Sequence, residues 1–586
     1  MNDVRGANSF DMTLAVFFAL ALSAAAAQTC TLWGERGEKY DPAGLLPDFS
    51  FAGYERGDKA IPERVAEASV KDFGALGDGK TDDTAAFQRA LKQAAGKCIG
   101  IPAGRYVLSD VIEVETADTV LRGAGADKTT IVFTKALQTL RPTAAETGDG
   151  KATNGWSWNG GLLWFKGTNP VGGVLATITS PCAKRGATSL PVEDASKLSV
   201  GQEVAIEIKD DTSGTLVNYI FRDKPDDAAK LVGKLSYRYA ARICEIRDKT
   251  VVIDRPLRFD LRTEWGAVLR SFGPKLQHSG IEDLTFEFPK QPYRGHWEED
   301  GFNAVQLENC AHCWARRLVI HNADSGIFTK GYFCTVSDVL FTANRRPEPK
   351  GRTGHHGIEA DGADNLITRF RFKTRYFHEL TVSHSIGNVL SDGSGDFLTL
   401  DHHKAGPYEN LFTNLDTGAS GPEAWNSGGP PGAGRHSAAG DTFWNIHGKK
   451  DTGLPPEGWG PAGLVFTGIK GAARKPDRVS GWFYETISAS SLTPQNLHLA
   501  QLERRLAQAA GRARLTIANE AGVKPDAAAM ERWTNSAGRA FNAKFDGLNG
   551  ANVIFILPDG RRVPFPAASL SAESRALIMK LNRAKN

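Results

Sequence analysis

Between residues 281 and 446, short apolar runs of strand length recur without the 3.6-residue rhythm of a helix. This recurrence limits the fold more than any other feature of the chain. One series of runs lies at 281–286, 317–322, 337–341, 379–383, 410–415 and 442–446, and a second at 304–307, 326–329, 357–360 and 396–400. In the second series Val305 and Ile327 are 22 residues apart, Ile327 and Ile358 are 31 apart, and Ile358 and Phe397 are 39 apart. A repeat near 22 residues is one turn of a stacked parallel coil, whose equivalent residues sit ~4.8 Å apart from turn to turn. The growing excess predicts longer loops that wall a site on one face.

Composition narrows the choice further. At 586 residues the chain is too long for one ordinary core, so several domains or an elongated repeat are expected. Its 41% hydrophobic and 23% charged residues exclude wholesale disorder. The balance of 70 Lys+Arg against 67 Asp+Glu gives no basic excess for a nucleic-acid partner. The 62 glycines follow no collagen period, and four methionines exclude a Met-rich binding surface. Leu14 to Leu22 is an apolar core of signal-peptide length before Ala25-Ala26-Ala27, so residues 1–27 read as a cleaved address. No run is long enough to span a bilayer, and a secreted or periplasmic protein with a surface contact is expected. Cys310-x-x-Cys313, with Cys334 nearby, reads as core or disulfide.

A motif precedes the repeats. Val70-Lys71-Asp72-Phe73-Gly74-Ala75 leads through Gly77-Asp78-Gly79-Lys80-Thr81-Asp82-Asp83-Thr84 into a helix with Ala86, Phe87, Ala90 and Leu91 on its apolar face. Gly100-Ile101-Pro102-Ala103-Gly104-Arg105-Tyr106 and Leu121-Arg122-Gly123-Ala124-Gly125 follow. These residues resemble the N-terminal cap of the pectate-lyase-like superfamily, which includes polysaccharide lyases, polygalacturonase-type hydrolases, uronan epimerases and phage tailspikes. The resemblance implies an all-β fold, a right-handed parallel β-helix spanning residues 28–510. Residues 172–262 read as a β-insertion, and Trp156, Trp158 and Trp164 as sugar-stacking residues or buried anchors. After a linker at 511–529, residues 530–586, with a hairpin turn at Asp559-Gly560-Arg561, resemble the small SH3-like barrel of Sla1 homology domain 1.

Eight of the 13 histidines fall between residues 321 and 436, among acids and cations. Asp361, Asp401, His402, His356 and Lys330 are the candidate catalytic residues. His355, Glu359, His403, Arg435 and His436 are the candidate substrate contacts, and Asp396 is the candidate Ca2+ ligand. Alternation places Glu359 and Asp361 on one side of their strand, with Asp401 or His402 as diagonal neighbour. The polygalacturonase motifs survive only as the echo Ile358-Glu359-Ala360-Asp361-Gly362, and the Asp-Pro-His-Asp box of mannuronan epimerases is absent, so no catalytic role carries over. Two chemistries fit a monomeric enzyme on a uronate-containing polysaccharide. Elimination needs a base such as His402 and a counter-charge at the carboxylate; hydrolysis needs two carboxyls, which Asp361 with Asp401 could supply. The cationic surroundings tilt the expectation toward a lyase. A non-catalytic carbohydrate-binding or adhesion protein is the competing class.

Overall fold

The computed structural model describes residues 27–179, 183–472 and 481–520, with 531–535, 540–549, 552–557, 562–567, 570–571, 573–575 and 577–578 beyond them. The signal-peptide segment and the Asp559-Gly560-Arg561 turn lie outside the described residues, apart from Ala27. Two compact units divide the chain, Met1–Arg504 and Arg505–Asn586. Among the described residues no helix is long and apolar enough to cross a membrane.

The first unit is a parallel β-helix, capped by helix α1 (Thr84–Gln93), whose Ala86, Phe87 and Ala90 are buried. One of its sheets runs from Ala68–Ser69 to Phe483–Glu485. The other is formed in parallel by β1 (Ile112–Val114), β2 (Leu163–Lys166), β3 (Asn303–Ala311), β4 (Ser325–Tyr332), β5 (Gly354–Ala363), β6 (Tyr376–Ile386) and β7 (Leu400–His402). Ile112, Leu163, Val305, Ile327, Ile358, Leu380 and Leu400 stand in register across the seven strands, and each is at most 2% exposed. This apolar row is why alternating residues on the same strands must face outward.

The register corrects the spacing argument. The run at 379–383 belongs to β6 and lies between β5 and β7, so the interval measured as 39 residues to Phe397 is in truth two coils ending at Leu400, of 22 residues from Ile358 to Leu380 and 20 from Leu380 to Leu400. At the following corner, asparagines pair from turn to turn. Asn388 Oδ1 accepts from the Asn365 N–H at 2.8 Å, Asn410 Oδ1 from the Asn388 N–H at 3.1 Å, and Asp441 Oδ1 from the Asn410 N–H at 2.7 Å.

The insertion is a six-stranded antiparallel sheet bounded by Val171–Thr177 and Val268–Phe272. It docks on the β-helix through buried pairs of Arg255 and Arg258 with Asp364 and of Arg258 with Glu409, and by stacking Phe259 on Tyr408 at 4.5 Å. Cys310 and Cys334 are buried free thiols with Sγ atoms 3.7 Å apart. The closing helix α2 (Leu497–Glu520) continues well into the expected linker, because the Ala-, Arg- and Leu-rich stretch 502–514 favours a helix. In the second unit, strands Glu531–Thr534, Ala540–Asn549, Asn552–Ile556 and Arg562–Pro566 pair antiparallel in sequence order around Trp533, Phe545, Val553 and Phe555.

Candidate active site

The outward residues of β3 to β7 converge chemically. Glu359, Thr381 and Asp401 are in register on β5, β6 and β7, and Lys330 on β4 is in register with Asp361 on β5. Gly362 follows Asp361 with φ +88°, and a Cβ there would meet the Gly331 carbonyl oxygen at 2.3 Å, so only glycine lets β5 lie this close to β4. Asp401 is fully buried. Its Oδ2 lies 2.8 Å from His403 Nδ1 and 3.2 Å from His378 Nδ1, and its Oδ1 accepts the Gly428 N–H at 2.7 Å. His356 Nδ1 lies 3.6 Å from Glu359 Oε2 and 3.2 Å from Thr381 Oγ1. Lys330 Nζ donates to Asn159 Oδ1 at 3.0 Å, and Asp361 Oδ1 has no hydrogen-bond partner among the described residues. Half-buried Asp361, Lys330 and His403 and exposed His384 open the row to solvent.

The surroundings separate the proton affinities. Burial, reinforced by Asp361 and Asp401 and opposed by Lys330 and His403, pushes the Glu359 carboxyl up to about 7. Burial also raises Asp361, against the pull of Lys330, His384 and His403. At Asp401 burial works against the charge, yet His378, His403 and the Gly428 N–H hold the carboxyl well below the usual carboxylate range. Burial disfavours a charged His403, but Asp401, Glu359 and Asp361 outweigh it and raise its pKa. His356 is held neutral by burial and by His378 and His403.

Of the residues singled out from sequence, Lys330, His356, Glu359, Asp361, Asp401 and His403 come together on this face. His402 does not. It alternates with Asp401 and is in register with inward Val382, so its ring lies in the core, 4.9 Å from Phe412, 5.3 Å from Phe443 and 4.6 Å from Trp459, with Nε2 3.5 Å from Asp441 Oδ2. His355 is fully buried, its Nδ1 3.5 Å from Glu299 Oε1. Arg435 is tied to Asp226 of the insertion and to the Gly460 carbonyl oxygen, and His436 Nδ1 to the His402 carbonyl oxygen. Asp396 is exposed beyond Ser394–Gly395 and belongs to neither of the two groups that could hold a metal among the described residues, His296/His355/His378 and His378/Asp401/His403. His296 and Glu299 escaped sequence reasoning because their segment, 288–302, has no periodicity, and its fold over the sheet is a long-range event. Trp156 and Trp164 are buried anchors, the Trp164 Nε1–H donating to Glu308 Oε2 at 2.8 Å.

Known proteins match parts of this chain. The pre-neck appendage protein of Bacillus phage B103 is 45% identical over 65 residues, 11% of this chain and 7% of that protein. Alginate lyase 7 of Azotobacter vinelandii is 40% identical over 74 residues, 11% and 9% of the two chains. An exopolygalacturonase of Arabidopsis thaliana is 35% identical over 135 residues, 22% and 28%. The chain thus spans less than a third of the length of each of these relatives. The tailspike protein gp49 of Pseudomonas phage LKA1 aligns over 69% of this chain and 70% of its own at 13% identity and a TM-score of 0.39. The family described as rhamnogalacturonase A/epimerase, pectate lyase-like, matches residues 68–251, which include the capping motif but stop before the histidine and carboxylate face.

Proposed function

We propose that this chain is an exported enzyme that cleaves glycosidic bonds of a uronate-containing polysaccharide by hydrolysis at Glu359 and Asp361. The observation that carries the reading is the pair itself: two carboxyls on one strand face, both with raised proton affinity, beside Lys330. Residues two apart on a strand are ~6.7 Å apart at the backbone. An inverting pair needs carboxyls ~6.5–9.5 Å apart, leaving room for water. Glu359, protonated near neutrality, donates to the leaving oxygen, and Asp361 takes the proton of the attacking water. Because the two interact, the pair shares its titration. Lys330 and His403, whose proton affinity Asp401 raises, attract the uronate carboxylate. Asp401 holds His378 and His403 in place. The relatives named for polygalacturonan and alginate support an acidic polymer.

Elimination is the second reading, favoured by neutral His356 beside Glu359, with Lys330 and His403 supplying the counter-charge. Incubation with polygalacturonate, alginate and neutral glycans, reading reducing ends together with ultraviolet absorbance, decides between them. Hydrolysis gives reducing ends alone; an unsaturated uronate makes the chain a lyase; no product from any polymer leaves a binding protein. The tail's strand order supports an SH3-like barrel that makes a surface or protein contact.

A further inference from the structure

Three imidazoles from separate segments meet beside the carboxylates. His296 comes from the segment after Gly280–Glu287, His355 from β5 and His378 from β6. One donor nitrogen from each lies within 4.8 Å of the others, and the ring centroids are 4.5, 5.5 and 5.9 Å apart. His355 is fully buried and His378 is 8% exposed; their Nδ1 atoms face the Glu299 and Asp401 carboxylates at 3.5 and 3.2 Å, while His296 Nε2 and His355 Nε2 have no hydrogen-bond partner among the described residues. A neutral imidazole has one N–H to donate and one lone pair to fill, so buried ring nitrogens left without partners cost stability unless something else binds them.

We propose that His296, His355 and His378 bind one divalent transition-metal ion of the class that favours imidazole, Zn2+ foremost. Three neutral nitrogens are a poor site for Ca2+ or Mg2+, which take oxygen ligands, and a good one for Zn2+, Cu2+ or Ni2+. Three protein ligands also leave a coordination position open to water or substrate. Carboxylates stand behind two of the rings, as they do behind metal-bound histidines. Glu299 Oε1 is 3.5 Å from His355 Nδ1 and accepts from Tyr293 Oη at 2.6 Å, while Ser157 Oγ donates to Oε2 at 2.9 Å. Asp401 Oδ2 is 3.2 Å from His378 Nδ1. Trp297 and Phe377 stack on His296 at 3.9 and 4.5 Å and fix the plane of its ring. The second group, His378/Asp401/His403, shares His378 and is the weaker candidate, because the Asp401 oxygens are engaged by His403 and by the Gly428 N–H.

The test is Zn2+ titration of the chelator-treated full chain by calorimetry, with Co2+ visible absorbance as reporter. One equivalent should bind, with a Kd on the order of 1 μM or tighter. His296→Gln and His378→Gln should each weaken binding by at least ~10–100-fold, while Glu359→Gln leaves it unchanged and millimolar Ca2+ does not compete. His355 is too buried to substitute safely, so half-buried His296 carries the mutational test, checked by far-ultraviolet dichroism. Should both variants misfold, the wild-type Co2+ spectrum decides alone: intense tetrahedral bands with nitrogen ligation support the site, and the spectrum of hydrated Co2+ overturns it. Substoichiometric Zn2+, unchanged affinity in both folded variants, or displacement by Ca2+ also overturns it. Binding is read with no polysaccharide present, so failure of the metal site and failure of the cleavage reading are separate results.

Discussion

At the residue scale, Glu359 is the group whose environment differs most usefully from water. It is 6% exposed, and it faces Lys330 from β4, Asp361 and His356 on its own strand, Asp401 from β7 and His403 just after that strand. As a proton donor whose acid form persists to about 7, it predicts activity that falls as pH rises through that value. Lys330 lowers this proton affinity, so Lys330→Met should move the alkaline limb of kcat/KM to higher pH, whatever it does to KM. A limb that stays in place removes Glu359 as the donor. Glu359→Gln and Asp361→Asn should each reduce kcat by ~10²–10⁴-fold, the usual worth of a general acid or base. His402→Phe fills the same aromatic pocket and should leave turnover within a few-fold. Sequence alternation placed Glu359 and Asp361 correctly on one face, because that needs only a period of two. The same rule applied to Leu400-Asp401-His402 turns Asp401 outward and His402 inward. Choosing between those two neighbours required knowing that Leu400 continues the apolar row of Ile358 and Leu380, which the mistaken pairing of Ile358 with Phe397 concealed.

At the element scale, the misread strand was β6. Its run of residues 379–383 is as apolar and alternating as any on the opposite sheet, and periodicity carries no sheet label. What assigns it is the asparagine ladder at the corner, one rung per coil at Asn365, Asn388 and Asn410. Asn388 is fully buried; its Oδ1 accepts from the Asn365 backbone N–H and from Asn365 Nδ2 at 3.0 Å, and its Nδ2 donates to the Ala360 carbonyl oxygen at 3.3 Å. Asn388→Ala strips partners from several buried groups at once, each orphan costing ~1–3 kcal/mol. The variant should lose about 2–5 kcal/mol in chemical unfolding, and because the rung borders β5 and β6, activity should fall with it. A loss under about 1 kcal/mol would mean that water replaces the rung, and that the ladder sets register without holding the fold together.

At the scale of the whole molecule, the capping motif was legible because it is local, while the tail's relation to activity has to be tested. The second unit has its own core around Trp533 and Phe555, and within the first unit the start of α2 is anchored by buried Leu497 and Gln501. A chain ending at residue 520 should therefore keep both cleavage and the unfolding midpoint of the β-helix. That unfolding also carries a pH signature from the core pair His402 and Asp441. Burial raises the Asp441 carboxyl to about 8, against hydrogen bonds from Ser437 and Asn410, and burial lowers His402 to about 3. Relative to the unfolded chain, folded Asp441 binds a proton more tightly, so its contribution to stability falls as pH rises from about 4 to 8. Folded His402 binds a proton less tightly, so its contribution rises with pH up to about 6.5. The two slopes oppose one another below about 6.5 and only the Asp441 slope remains above it. Tm should accordingly decline between pH 6.5 and 8 in the native chain. In Asp441→Asn, which keeps the acceptor for Asn410 but cannot ionise, that decline should shrink. Parallel Tm curves for the two proteins over this interval would show that Asp441 is already ionised in the folded core, paired with a charged His402.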